Sequence, residues 1–374
     1  MLEVILYVLY AVLLAVFGCA AWRLRLAFRR FTMKTLLTDK KTIDSMPSVS
    51  VCIPARNERH AMTDSLQRVI ESRYPKLEII VHDDLSGDGT SALIKAFAHE
   101  GVRFIEGDRL PDGWVGKNHA LQSLLEQASG TYVLFMDVDT RVTPDSIEQL
   151  VAYIQHENVA MVSVLPRRED GIRASVLFSP LRYFWEIMFH RRSSPATASN
   201  AWMVHRQTLA NELQGFNRFK DAVQPESNIS AELMATGRYR FLIGTKLLGI
   251  SYEKKWRSQL STGVRLLYPL LGAKVEHSLI AALDLLIISS PLIIIATGFF
   301  AGWSYHQIIA GGIFILYAGL YQTYLAKLWN RGAIFGGLLW GLVAVQESIL
   351  IITSAVAYKR NRVTWKGRHV KAPR

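Results

Sequence analysis

LEIIVHDDLSGDGT, residues 77–90, is the stretch that decides the fold. A short apolar run rich in β-formers stops at Asp83-Asp84-Leu85-Ser86-Gly87-Asp88-Gly89-Thr90, and helical spacing follows over 88–100. That is a strand, a turn and a helix in succession. The same unit repeats on either side. SVSVCIPA (48–55) reads as a first strand, followed by Arg56-Asn57-Glu58 and helical spacing over 62–72. VRFIE (102–106) is a third strand, 117–128 a further helix, and TYVLFMD (131–137) a fourth strand. Strands that alternate with helices in this way build an α/β domain, here over 48–255, with a mostly parallel sheet flanked by helices. Ligands of such sheets bind beyond the carboxyl ends of the strands.

The residues that follow each strand exclude two common nucleotide motifs. After the first strand comes Pro54-Ala55-Arg56-Asn57-Glu58 rather than G-x-G-x-x-G, and no P-loop follows the second. After the fourth comes Asp137-Val138-Asp139. Two carboxylates two residues apart at a strand end can aim at one divalent cation, and that cation can neutralise a diphosphate. Mg2+ or Mn2+ suits such an all-oxygen site. Any one of these strings recurs by chance. Their order along successive strand ends carries the reading.

Half of the 374 residues are hydrophobic and 20% are charged, which excludes a disordered chain. Two cysteines exclude a disulfide scaffold and a cysteine-based zinc site, and the ten histidines show no metal-ligand spacing. The net charge of +12 points to anionic partners. Much of that excess flanks apolar runs and no nucleic-acid motif is present, so a membrane is expected rather than a nucleic acid.

Residues 3–22, 278–300, 307–326 and 334–357 are long enough to cross a bilayer. The expected organisation is an N-terminal anchor (1–24), a cytosolic domain (48–255), an interfacial segment (256–277), three membrane segments (278–357) and a basic tail (358–374). Arg23, Arg25, Arg29 and Arg30 follow the first run and place its end in the cytoplasm. Four spans would then put the C-terminus outside. Yet Lys359, Arg360, Arg362, Lys366, Arg368, Lys371 and Arg374 argue for inside. Gln346 and Glu347 are also costly near the middle of a span. Two readings stay open for 334–357: a re-entrant segment, or one whose polar pair faces protein, against an ordinary span that breaks the charge rule. The tail reads as a basic interfacial segment, with closure of Trp365–Arg368 over the site as the alternative. Residues 174–190 read as a core helix, with a role at the bilayer surface as the alternative.

Pro54–Glu58, Asp83–Thr90, Gly116-Lys117-Asn118 and Asp137–Asp139, in that order, resemble family 2 glycosyltransferases of the GT-A fold. Leu110–Lys117, Trp256, Leu260–Gly263 and Trp365–Arg368 resemble the branch that glycosylates 4,4′-diaponeurosporenoate or acts beside hopanoids. The resemblance implies a multi-pass cell-membrane enzyme with its catalytic domain in the cytoplasm. It would move one sugar from a nucleotide-sugar, UDP-glucose by preference, to a lipid, isoprenoid or carotenoid acceptor with inversion. It implies Asp84 against the uracil, Ala55 and Glu58 lining the nucleoside pocket, Lys117 near the donor, Asp137 facing the ribose or sugar, and Asp139 on Mg2+ or Mn2+.

Two departures qualify it. The family's Glu-Asp, where the carboxylate is the general base, reads Glu226-Ser227 here. Glu226 becomes the candidate base, with Asp221 or Glu232 as fallback. The family's Q-x-x-R-W reads Gln259-Leu260-Ser261-Thr262-Gly263, which argues against a processive polysaccharide synthase. A short polysaccharide synthase and an inactive scaffold of the same fold are the competing readings. The sequence leaves the oligomeric state open.

Overall fold

The computed structural model describes residues 1–33, 46–169, 174–178, 181–329 and 336–370. Arg331, Lys371 and Arg374 lie outside the described residues.

The chain opens with helix α1 (Leu2–Phe31), then enters the α/β domain through β1 (Val49–Ala55), α2 (Arg59–Ile70), β2 (Leu77–Asp83), α3 (Thr90–Ala96), β3 (Val102–Glu106), α4 (Gly116–Gln127) and β4 (Tyr132–Met136). These are the elements read from sequence, with small shifts at their ends. The domain continues through β5 (Thr140–Val142), α5 (Ser146–His156), β6 (Met161–Leu165), β7 (Arg167–Arg168), α6 (Ala174–Leu177), α7 (Arg182–Met188), β8 (Ala201–His205), α8 (Pro225–Ala235), β9 (Tyr239–Ile243) and β10 (Ile250–Tyr252). The chain ends with α9 (Trp256–Leu270), α10 (Val275–Ala301), α11 (Ser304–Leu328), α12 (Trp340–Lys359) and a hairpin of β11 (Thr364–Trp365) and β12 (Arg368–His369).

The main sheet has seven strands in the order β3-β2-β1-β4-β8-β6-β9. All neighbours are parallel except β8, which runs antiparallel to both β4 and β6. The chain goes from β1 through β2 to β3 on one side, then returns to β4 on the other. The carboxyl ends of β1 and β4 therefore flank a switch point, where ligand crevices open. The central strands are buried along nearly their whole length, as a sheet covered on both faces requires. Trp202 of β8 stands opposite Phe135 of β4, with ring centroids 4.5 Å apart, and both touch Phe216. A second sheet, β5-β10-β7, lies beside the switch point.

Residues 174–190 form two short helices, α6 and α7, rather than one. They are core, as expected: Phe184, Ile187 and Met188 are buried, and Phe184 meets Tyr324 of α11 and Trp340 of α12.

Among the described residues, four helices are long and apolar enough to cross a membrane: α1, α10, α11 and the segment Gly336–Lys359. α1 continues past the apolar run because Phe28 and Phe31 bury against the domain, Phe31 on Phe241 of β9. α11 ends at the domain, where Trp329 bridges Arg168 of β7. Residues 336–340 then sit beside the later part of α11 rather than beyond its far end at Ser304. The Gly337 N–H donates to Gln322 at 3.0 Å, and Trp340 stacks on Tyr317. From there α12 runs along α10 and α9, and its last turn delivers the hairpin back to the domain. The end of α11 and the end of α12 thus both adjoin the α/β domain. The polar pair also faces protein. Gln346 donates to the Phe178 carbonyl at 3.1 Å, and Glu347 is fully buried.

Candidate active site

The two loops read as motifs are tied to each other. The Asn57 N–H donates to Ser86 Oγ at 2.8 Å, and the Gly87 N–H donates to Asn57 Oδ1 at 2.9 Å. The Glu58 N–H donates to Thr90 Oγ1 at 2.9 Å, and Asp88 accepts from the Thr90 and Arg59 N–H groups. Asp83 points back into its own loop and accepts from the hydroxyls of Ser86 and Ser91. Asp83 is therefore a loop organiser, and Asp84 is the acid that reaches the crevice.

That crevice is a cavity of 930 Å³ at the carboxyl ends of β1, β2 and β4. Ala55, Glu58, Asp84, Lys117, Asp137 and Asp139 all line it. Lys117 Nζ lies 2.5 Å from Asp137 Oδ1. Burial pulls the Lys117 ammonium down, but the carboxylates of Asp137 and Glu226 outweigh it and leave its pKa raised. The Asp137-Val138-Asp139 turn is held by the Asn200 carbonyl, which accepts the Asp137 N–H at 2.9 Å and the Thr140 hydroxyl at 3.0 Å. Gly116 opens α4 where a Cβ would lie 3.0 Å from the Asp84 carboxylate and collide with the Arg368 guanidinium. A side chain there would displace the Arg368 guanidinium from its place beside Asp84.

Asp139 is the residue best placed for a metal. One carboxylate oxygen, Oδ1, is buried with no hydrogen-bond partner among the described residues. Burial pushes this carboxyl up to about 6; Lys254 opposes the rise, and Asp137 and Glu58 add to it. A buried orphan carboxylate oxygen beside a second carboxylate fits a hard cation. Among the described residues, no cluster of three or more His, Cys, Asp or Glu could hold a metal ion. A divalent cation here would thus take its other ligands from water and phosphate oxygens, as Mg2+ commonly does.

The raised pKa has a testable consequence. Metal binds the ionised carboxylate, so protons compete as pH falls through about 6. Mn2+ affinity, read by calorimetry, is expected to fall about tenfold between roughly pH 7.5 and pH 5. A carboxyl at the ordinary value of 3.8 would give almost no change over that range. The sign for the metal-free fold is opposite. A raised acid stabilises it below the unfolded value, and that contribution is lost as pH rises through about 6.

The candidate bases are placed differently. Glu226, in the first turn of α8, is 2% exposed and does not line the cavity. Burial raises its pKa against the pull of Lys117. Asp221 is exposed on the preceding loop, also away from the cavity lining. Glu232 is committed to a two-point pair with Arg218.

Several cavity residues gave no sequence signal. Arg182 and Tyr183 enter from α7, Lys254 from the turn after β10, and Arg265 from α9, beside Gln259, which the sequence reading had singled out. The tail is corrected as well. It does not lie apart as an interfacial segment but folds onto the crevice. Lys366 Nζ pairs with Glu58 at 2.8 Å, and Arg368 pairs with Asp84 at 2.7 Å. Arg56 Nε donates to the Lys366 carbonyl at 3.1 Å. The closure alternative is the one the geometry matches. Asn118, adjacent to Lys117, was also missed as a support: its amide donates to the carbonyls of Phe219, Lys220 and Ala222. Asn118→Ala is expected to cost about 1–3 kcal/mol, because the buried Phe219 carbonyl and the part-buried Lys220 and Ala222 carbonyls lose the amide whose two hydrogens they share. Thermal unfolding should show the loss, and hydrogen exchange should place it in residues 219–222.

Comparisons with known proteins agree with this geometry. Residues 50–209, less than half of the chain, match the family model described as glycosyl transferase family 2. The chain is 29% identical over 116 residues to a putative teichuronic acid biosynthesis glycosyltransferase of Bacillus subtilis, covering 30% of this chain and 44% of that protein. It is 31% identical over 115 residues to a poly-beta-1,6-N-acetyl-D-glucosamine synthase of Staphylococcus aureus, covering 31% of this chain and 27% of that protein. The chain thus spans less than half the length of these curated relatives. Among solved structures, a mannosyltransferase from Pyrobaculum calidifontis in complex with GDP-Man and Mn2+ superposes with a TM-score of 0.58 at 19% identity, over 96% of this chain and 98% of that one. That likeness covers the fold, including the long apolar helices. Residues 50–209 are thus similar to family 2 glycosyltransferases, in a fold shared with the Pyrobaculum enzyme and joined to apolar helices on both sides.

Proposed function

We propose that the protein transfers a single sugar from a nucleotide-sugar to a lipid acceptor at the membrane, with inversion at the anomeric carbon. One observation carries this reading. A single cavity gathers Asp84, the Lys117–Asp137 pair and the orphaned Asp139 oxygen, and it is walled on its other side by α9. The Pyrobaculum enzyme's GDP-Man and Mn2+ support a nucleotide-sugar and a divalent cation for the same fold.

In this reading, Asp84 accepts an N–H from the base edge. Ala55 and Glu58 wall the nucleoside, and Asp137 faces the ribose or sugar. Lys117 neutralises charge that develops on the diphosphate as the C1–O bond breaks. A cation on Asp139, Mg2+ or Mn2+, would add Lewis-acid stabilisation to the same oxygens. UDP-glucose is the proposed donor, although Asp84 could accept from uracil or guanine alike. The acceptor oxygen attacks C1 from the face opposite the leaving group.

The base inventory narrows the acceptor. Glu226 stands behind Lys117 and Asp137, within their electrostatic reach but buried off the cavity wall, and Asp221 lies on the preceding loop, so a nucleophile that needs no base suits this lining best. A carboxylate nucleophile is already ionised and needs none. The proposed acceptor is therefore a lipid acid, such as an isoprenoid or carotenoid carboxylate. The test uses the full chain in lipid, radiolabelled UDP-glucose or GDP-mannose, Mn2+ and an acidic-lipid extract. Lipid-linked label that mild alkali releases, as a glycosyl ester must, is expected. Alkali-stable label would overturn the acid acceptor, and absence of lipid-linked label from either donor would overturn the transfer itself.

A further inference from the structure

We propose that Arg265 of α9 holds the diphosphate leaving group, and that Trp365 of the C-terminal hairpin positions it there. The inference rests on the nucleotide-sugar reading of the cavity and adds residues that reading does not assign.

Lys117 is paired with Asp137. Lys254 faces Asp139, whose charge opposes the effect of burial on its ammonium. Arg265 lines the same cavity and lies within electrostatic reach of Asp137 and Lys117. Among the described residues, no acid is ion-paired or hydrogen-bonded to its guanidinium. Burial lowers its pKa, with the Asp137 charge opposing. A guanidinium partly withdrawn from water without an anion of its own is costly, unless a ligand supplies one. The planar fork of arginine matches two phosphate oxygens, and the neighbouring Lys117 and Asp139 mark where those oxygens would sit.

The fork is aimed from two sides. The Arg265 carbonyl accepts the Tyr358 hydroxyl at 2.6 Å, which fixes this turn of α9 against α12. The guanidinium lies over the Trp365 ring, 5.4 Å from its centroid. Trp365 is itself fixed, because the next residue, Lys366, is tied to Glu58 and Asn57, and Arg368 is tied to Asp84. A cation stacked on an indole keeps its N–H edge free for an anion. The hairpin thus places one wall of the diphosphate site from residues more than two hundred positions beyond the strand ends that form the other.

The experiment is calorimetry on the full chain in lipid nanodiscs with Mn2+, using the nucleoside diphosphate that wild type binds (UDP or GDP) and the matching nucleoside. Arg265→Gln is expected to weaken diphosphate binding by about 10- to 100-fold and to leave nucleoside binding unchanged. Arg265→Lys should restore part of the loss. Trp365→Ala should weaken diphosphate binding by about 3- to 10-fold with the same selectivity, and Trp365→Phe should behave as wild type. Arg265→Gln with wild-type diphosphate affinity would overturn the assignment. So would an equal loss for diphosphate and nucleoside, which would place Arg265 in the fold or the nucleoside pocket. Trp365→Ala with wild-type affinity would overturn the positioning role alone. A wild type that binds neither UDP nor GDP would overturn the proposed function together with this inference.

Discussion

Asp139→Asn is expected to lower turnover by about 1,000-fold with either Mg2+ or Mn2+, while the protein folds and its unfolding temperature hardly changes. The two halves of that expectation have one cause. Asp139 Oδ1 is buried with no protein partner, so the fold does not use it. Its charge is also costly where it stands, since burial has raised its pKa. Removing that charge costs the fold little. A divalent cation held by Asp139 would stabilise the departing diphosphate mainly in the transition state, where single groups count for about 10²–10³ and a metal contributes several kcal/mol, so losing the carboxylate that would hold it costs turnover. Asp137→Asn makes the contrast. It takes the partner from Lys117, so it should lower stability as well as turnover. Turnover of Asp139→Asn within about tenfold of wild type would show that this carboxylate does not hold the metal.

Trp202→Ala is expected to give the largest stability loss, roughly 3–5 kcal/mol. The indole is 1% exposed and fills the space between Phe135 and Phe216, behind the strand that ends in Asp137. The cavity left there cannot close easily, because Phe135 sits in a strand paired on both sides. The substitution should also weaken metal binding from a distance. The Asp137–Asp139 turn hangs on the carbonyl of Asn200, two residues before Trp202 on the same segment. Differential scanning fluorimetry in detergent, with and without Mn2+, checks both effects. A loss below about 1 kcal/mol would mean the site collapses around the missing ring.

The donor half of the site was legible because its parts are local. A strand, a turn and a helix start lie within a dozen residues of each other, and the acids fall where a parallel sheet ends. The same logic read four strands to within a residue at each end and three helices to within about four. The opposite wall of the cavity was less legible, because no short window contains it. Arg182, Lys254 and Arg265 come from three separate segments, and Trp365, offered by the sequence only in the closure alternative, returns to them after the apolar helices. β8 was missed for another reason. AWMVH carries no sign that it runs against its neighbours, since direction is set by the long connection from β6. The tail misled because a run of Lys and Arg after an apolar helix usually lies in solvent or at headgroups. Here two of those cations have carboxylates waiting in the cavity, Glu58 and Asp84. The ends of α11 and α12 both adjoin the α/β domain, through Trp329 and through the hairpin.

The central claim is that this cavity breaks a nucleotide-sugar at its anomeric bond. The most direct measurement is release of nucleoside diphosphate by the purified full chain in lipid, given UDP-glucose or GDP-mannose with Mn2+ and an acidic-lipid extract. Release that requires the metal and is lost in Asp139→Asn and Lys117→Met is the result expected. Release that persists undiminished in both variants, or no release from either donor by wild type, would contradict the claim.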